Sequence, residues 1–428
     1  MTGALSHRHR KWLGWFRVLA RFASAQLVIQ LLGFLSGILI VQHLSKPDYA
    51  WFTIANALVG TMAMLADSGV SGALSAVGGS VWRETEKFSS LIITALGFRR
   101  RLAVVSAILL TPPFVWMLVK NQAPAAIIAI VVPVALLGFF LQITSNVMGV
   151  GIWFRQELRK MQLLGLAPAL LRVALLSLAC LLFIDARVAI VIGTLAPGLQ
   201  VLLLRRWERH TIDWNAPVSA DYRSRILTVV KKQAPLTIFH CVQGQIIIWL
   251  ISIFGGEERV AEIGALGRFA ILFTLISSVM NGIVVPRFAR CQEPGILRRR
   301  YWQVAFAFAI LSGSLVAFSA AFPRLLLWVL GSQYSNLEHE VWLMMLSAAS
   351  SGMFVCLVSM TYAKGWILPA AISIPMEIIT QIILILTFDI STVRGVLFIG
   401  CFSSLPLIVL NIIVAHSKMR SPPAPEAT

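Results

Sequence analysis

The stretch LLGLAPALLRVALLSLACLLF, residues 163–183, carries a single charge, Arg172, in 21 otherwise uncharged and mostly apolar residues. As a helix rising 1.5 Å per residue it would span roughly 30 Å, the thickness of a bilayer's hydrocarbon layer. The run therefore reads as a membrane helix. A guanidinium near its midpoint costs about 2.5–3.5 kcal/mol unless it faces water or a partner, which makes Arg172 a candidate for function.

Comparable runs recur along all 428 residues, of which 58% are hydrophobic and 13% charged. They predict twelve spans near 18–41, 49–68, 102–119, 125–150, 161–184, 187–204, 234–254, 261–285, 302–322, 340–362, 366–388 and 395–415. Barrel strands would alternate apolar and polar residues, and no such alternation is visible, so the expected class is an all-α polytopic membrane protein. The first run has no small-residue cleavage site and outlasts the apolar core of a signal peptide, so it is expected to stay as the first membrane helix.

A net charge of +18 raises nucleic acid as a partner, but the distribution of the charge argues against it. The basic clusters RHRK (8–11), FRRR (98–101), RQELRK (155–160), the 205–232 connection and LRRR (297–300) all fall on one side of a twelve-span topology. The other side holds only Lys46, Lys120, Arg187, Arg259, Arg324 and Arg394. By the positive-inside rule both termini are cytoplasmic, and the clusters set orientation and meet anionic membrane lipids. Trp51, Trp116, Trp153, Trp302 and Trp366 lie at span ends, where interfacial anchors belong.

The longest polar connection follows the sixth span and divides the chain into two six-helix lobes of the same orientation. The expected organisation is a basic N-terminus (1–17), an N-lobe (18–204), a connecting loop (205–233), a C-lobe (234–415) and a tail (416–428). Each lobe opens with a basic approach and a first span rich in Gln, followed by a short turn, SKPDYAWFTIA (45–55) or GGEERVAEIGALGRFA (255–270).

No phosphate-binding glycine loop, nucleophile elbow or zinc-ligand motif occurs, so no catalytic residue, metal site or cofactor is expected. The short external loops weigh transport above a polymerase or glycosyltransferase. The five cysteines, at 180, 241, 291, 356 and 401, lie in spans or a cytoplasmic loop and imply no disulfide framework.

Charges inside spans then become the candidates. Arg172 and Glu377, the latter in SIPMEIITQIIL (373–384), sit 13 and 12 residues before Asp185 and Asp389, in the corresponding fifth and eleventh spans. Arg268 lies about two turns into the eighth span, after Glu262, and Asp67 lies near the internal end of the second. Arg172 and Arg268 either face a water-filled cavity that takes an anionic substrate or form ion pairs with Glu377 and Glu262. Guanidinium suits phosphate because its planar fork donates paired hydrogen bonds and keeps its charge. Glu377, Asp67 and Glu262 are candidates for coupling or ion pairing. Gln26 and Gln30, four apart, share a helix face, and IFHCVQGQIII (238–248) supplies His240, Gln243 and Gln245, all of which suit a polar lumen or interhelical bonds. Pro112, Pro113, Pro133, Pro168, Pro197, Pro375 and Pro406 predict bends.

The opening LLGFLSGILIVQHLSKPDYAWFTIANAL (31–58), followed by LADSGVSGAL (65–74), resembles the lipid-linked oligosaccharide flippases of surface polysaccharide biosynthesis, such as those for O-antigen and exopolysaccharide. These belong to the multidrug/oligosaccharidyl-lipid/polysaccharide (MOP) exporter superfamily. The resemblance implies a MATE-like fold that moves an undecaprenyl-diphosphate-linked oligosaccharide between the leaflets of a bacterial inner membrane. It also implies a cationic central cavity, onto which Arg172 and Arg268 map by position, and a polysaccharide polymerase and chain-length regulator as partners. A multidrug or organic-cation exporter of the same superfamily is the alternative, and it predicts acidic residues facing the cavity instead.

Overall fold

Inside hydrocarbon every backbone N–H and C=O must be satisfied within the protein, and helices do this segment by segment. The computed structural model describes residues 25–155, 157–209, 211–280, 284–285, 288, 291, 293–364, 366 and 368–420, and no strand occurs among them. Among the described residues eleven helices are long and apolar enough to cross a membrane, each matching an expected span. The seventh expected span falls on the C-terminal part of a 35-residue helix, where Gln243–Phe254 is apolar but shorter. Residues 18–24 of the first span and the N-terminal basic cluster lie outside the described residues, as does the tail beyond 420.

The chain divides into two compact units, Met1–Val242 and Gln243–Thr428. The first holds α1 (Ala25–His43), α2 (Lys46–Asp67), α3 (Val70–Val81), α4 (Thr85–Lys120), α5 (Ala125–Met148), the single turn α6 (Val150–Phe154), α7 (Leu158–Leu182), α8 (Ala186–Glu208) and most of α9 (Ala220–Phe254). The second holds the end of α9, then α10 (Glu257–Leu266), α11 (Ile271–Val279), α12 (Pro294–Ala321), α13 (Pro323–Leu330), α14 (Val341–Tyr362), α15 (Ala370–Thr387), α16 (Val393–Ser403) and α17 (Leu405–Arg420). Large apolar side chains stand exposed along the spans, Ile108 at 70%, Leu181 at 83% and Leu386 at 82%, as a lipid-facing surface requires.

Three segments depart from the sequence reading. The 205–233 connection is mostly helical: its first residues finish α8, and from Ala220 onward α9 begins well before the membrane. Polarity there marks water around a helix rather than a loop. The eighth span is broken by a 3₁₀ turn, Gly267–Ala270, which carries Arg268. The twelfth is broken at Ser404, just before Pro406, where proline cannot continue the ladder of α16.

At its basic end the first unit has a core of its own. Leu74 of α3, Leu91, Ile92 and Ala95 of α4, Ile212 of the connection and Ile226 of α9 pack together. Three hydrogen bonds hold the connection on α4: Asp213 N–H to Ser89 Oγ (3.0 Å), Ser219 N–H to Thr94 Oγ1 (3.1 Å) and Ser90 Oγ–H to the Pro217 carbonyl (2.7 Å). Arg155 bridges Glu157 and the fully buried Glu208. Partial burial raises the pKa of Glu157, but hydrogen bonds from Lys160 and Arg155 outweigh that and hold it below the usual carboxylate value. Arg155→Ala would leave the Glu208 carboxylate buried without its partner. It is expected to cost about 3–5 kcal/mol, read as a lowered thermal midpoint of the detergent-solubilised protein.

The second unit has an equally tight corner where α15 turns into α16. A Cβ on Gly395 would lie 1.9 Å from the Asp389 carbonyl oxygen, a backbone atom that cannot yield. Gly395→Ala should therefore collapse the yield of monodisperse protein in fluorescence-detected gel filtration. Gly313→Ala, where nothing lies within 4 Å of the added methyl, should leave the yield unchanged.

Candidate functional site

Within the first unit, α2, α5, α7 and α8 surround a cavity of about 320 Å³. Its polar lining comes from Asn56, Gln142, Arg172, Thr194 and Gln200, one or two residues per helix. Arg172 is the only charged residue lining it among the described residues, and it is half-buried. It stands ten residues before the end of α7, about 15 Å along the helix and so near mid-membrane depth.

Local chemistry explains how the polar groups come to be there. Pro168 lacks an N–H, so the Leu164 carbonyl loses its bond within α7, and Gln200 Nε2 donates to that oxygen at 3.1 Å. Ser145 Oγ lies within hydrogen-bond distance of two acceptors, the Gln142 carbonyl at 2.9 Å and Gln200 Oε1 at 3.3 Å, so it flanks the amide on its other side. Thr194 Oγ1 lies within hydrogen-bond distance of two carbonyls, Ile190 at 3.0 Å and Val134 at 3.2 Å. It approaches Gly138 so closely that a Cβ there would fall 2.8 Å from it, so only glycine lets α5 and α8 meet at this level. Pro197 likewise leaves the Gly193 carbonyl without its helical donor, and both residues line the cavity. The result is one fixed positive charge among three amides, a hydroxyl and an exposed carbonyl, a set suited to an anionic oxygen flanked by hydroxyl groups.

The second unit has its own polar feature. Of the 18 residues of α15, the buried ones are Ser373, Glu377 and Gln381, spaced i, i+4, i+8 on one face. The opposite face is aliphatic and exposed, with Ile372, Ile379, Ile383 and Leu386. Glu377 is 4% exposed, and its Oε2 and the Nε2 of Gln381 have no hydrogen-bond partner among the described residues. Buried polar groups are ordinarily satisfied, so a carboxyl oxygen and an amide nitrogen left open one turn apart make this face of α15 a candidate site. Glu377 also stands ten residues before the end of its helix, as Arg172 does in α7.

The other sequence candidates are dispersed. Gln26 and Gln30 are half-buried on α1 and do not line the cavity; between them, Ile29 sits over Gly165 of α7, where a Cβ would fall 2.5 Å from its Cδ1. Gln243 is half-buried, and its Oε1 has no partner among the described residues. Arg268 is half-buried on the 3₁₀ turn, and Glu262 is buried and accepts from Asn336 Nδ2 at 3.2 Å. Asp67 is engaged at the junction of α2 and α3: it pairs with Arg99 at 3.1 Å and accepts from the N–H (3.1 Å) and hydroxyl (2.6 Å) of Ser71. That geometry assigns Asp67 to holding two helices at an angle. The side chain of His240 lies outside the described residues. Sequence reasoning missed Asn56, Gln142, Thr194, Gln200, Ser373 and Gln381. Gln200 could have been found from Pro168, whose position predicts an orphan carbonyl at Leu164.

No protein-family model and no curated protein matches the chain in sequence. Solved structures do match in shape. A multidrug resistance MATE family transporter of the MOP superfamily, in its inward-facing conformation, superposes with a TM-score of 0.64 at 15% identity, covering 93% of this chain and 98% of that one. The chain has a MATE-like fold. The lipid II flippase MurJ, in an inward closed conformation, superposes with a TM-score of 0.71 at 12% identity, covering 93% of this chain and 87% of the other. The outward-facing form of a MATE transporter gives 0.60 at 13% identity, covering 94% and 95%. This fold carries the cavity of the first unit and the polar stripe of α15, one in each half of the chain.

Proposed function

We propose that the protein moves a lipid-linked anionic oligosaccharide, an undecaprenyl-diphosphate conjugate, from the cytoplasmic to the periplasmic leaflet of a bacterial inner membrane by alternating access. The observation that carries this reading is Arg172, the single charge among the described residues of a cavity otherwise lined by amides, a hydroxyl and apolar groups. A guanidinium there can hold a phosphate through paired hydrogen bonds, and the amides match sugar hydroxyls. At about 320 Å³ the cavity is at the small end of ligand pockets, so it grips the diphosphate and its first sugar rather than the whole glycan. Surface polysaccharide synthesis would consume the product, with a polymerase and a chain-length regulator as partners. The similarity of fold to a lipid II flippase supports the reading.

Glu377 supplies the coupling group in this reading, because an open carboxyl oxygen beside an open amide can exchange a proton or a cation as the transporter cycles. The alternative, export of organic cations, draws support from the same carboxylate and from the MATE likeness. A cation cargo would be repelled by Arg172 in the first unit. Thermal stabilisation of the purified protein separates the two. A polyprenyl-diphosphate sugar should raise the midpoint of the wild type and leave that of Arg172→Ala unmoved, whereas stabilisation by lipophilic cations alone would favour the exporter.

A further inference from the structure

A second pocket, of about 580 Å³, lies at the basic end of the first unit and belongs to neither feature above. Arg100 of α4, Arg205 near the end of α8 and Arg209 just beyond it line it, with Thr144 and Trp214; Leu96 and Met148 add apolar walls. Among the described residues no carboxylate lines it, and none of them forms an ion pair with any of the three arginines. Arg187, Arg324 and Arg394, at the opposite ends of their spans, each face a carboxylate at 2.6–2.9 Å, from Asp185, Glu338 and Glu340. Three guanidiniums gathered around one pocket repel one another, and an anion seated among them would relieve that repulsion.

Depth and surroundings identify the kind of anion. Arg100 lies 20 residues before Lys120 in α4, and Arg205 lies 19 after Ala186 in α8, about 30 Å along each helix. That is one hydrocarbon thickness, which places both at headgroup level. Moving from the arginines toward mid-membrane, exposed aliphatic residues follow on the same helix faces: Val104 and Ile108 after Arg100, and Leu202 and Val191 before Arg205. An acyl chain can lie along such a surface while its phosphate sits among the guanidiniums. The rim is firm, because the connection bearing Trp214 is fastened to α4 by the Asp213–Ser89 and Ser219–Thr94 hydrogen bonds.

We infer that Arg100, Arg205 and Arg209 form a binding site for the phosphate of an anionic phospholipid of the surrounding leaflet. The site stands apart from the transported cargo and holds whether or not the proposed function is correct. Native mass spectrometry of the full chain in detergent tests it. Phosphatidylglycerol should be retained roughly tenfold or more over phosphatidylcholine, and the R100Q/R205Q/R209Q variant should lose that preference. The R298Q/R299Q/R300Q variant, which removes three exposed arginines from α12, should keep it. All three arginines of the pocket are exposed, so their replacement should leave the fold intact, to be confirmed by an unchanged gel-filtration profile. Equal phosphatidylglycerol retention in the two variants would overturn the site. Displacement of phosphatidylglycerol by an equal concentration of inorganic phosphate would instead assign it to a soluble anion and overturn the lipid assignment.

Discussion

Arg172→Ala is expected to lower glycan export roughly ten- to hundredfold while the protein inserts and folds normally. The magnitude follows from losing hydrogen bonds between a charged donor and a phosphate, worth about 1.5–3 kcal/mol where water is excluded. Folding should survive because α7 is the least buried span of its unit, with Pro168, Leu176 and Ala179 as its buried residues. Arg172→Lys keeps the charge but replaces a planar fork with a point donor, so it should rescue only part of the loss. Arg172→Gln keeps hydrogen bonding without charge and should behave more like alanine. Surface glycan measured by immunoblot, normalised to membrane protein, reads all three. An export level in Arg172→Ala equal to wild type would remove Arg172 from the transport cycle.

The second large effect is at Glu377, where function and stability should move in opposite directions. Glu377→Gln conserves shape and removes the ionisable group, so uptake into vesicles driven by an imposed proton or cation gradient should fall to background while substrate binding persists. Glu377→Leu should in addition raise the thermal midpoint, since a buried oxygen without a partner costs about 1–3 kcal/mol that an apolar side chain avoids. A protein made more stable and less active by one substitution is the signature of a site maintained at the expense of stability. Gradient-driven transport undiminished in Glu377→Gln would refute the coupling role.

Both residues could be read from the sequence because hydrocarbon makes any charge conspicuous. The run 163–183 needs only helix rise and bilayer thickness to become a span, and the same arithmetic locates the other spans, although α4 begins 17 residues and α12 eight residues before the expected starts. The ends were harder. The 205–233 connection reads as a loop by its polarity, yet helical hydrogen bonding continues into water, and α9 begins at Ala220. The cavity itself was not legible. Asn56, Gln142, Thr194 and Gln200 come from three helices separated by up to 144 positions, and each looks alone like a tolerated polar residue in a span. Gln26 and Gln30 illustrate the converse: their i, i+4 spacing puts them on one face, but periodicity cannot say whether that face meets a cavity or a neighbouring helix. The stripe Ser373, Glu377 and Gln381 shows what a stronger signal looks like, since its period of four runs through three polar residues on one face of α15.

The most direct test of the account is translocation in proteoliposomes containing only the purified chain and a fluorescent polyprenyl-diphosphate oligosaccharide. Headgroup crossing is read as protection from, or exposure to, a membrane-impermeant quencher. The account predicts crossing that requires the protein and falls at least tenfold with Arg172→Ala. No protein-dependent crossing of the diphosphate-linked lipid, from a preparation that exports an organic cation, would contradict it.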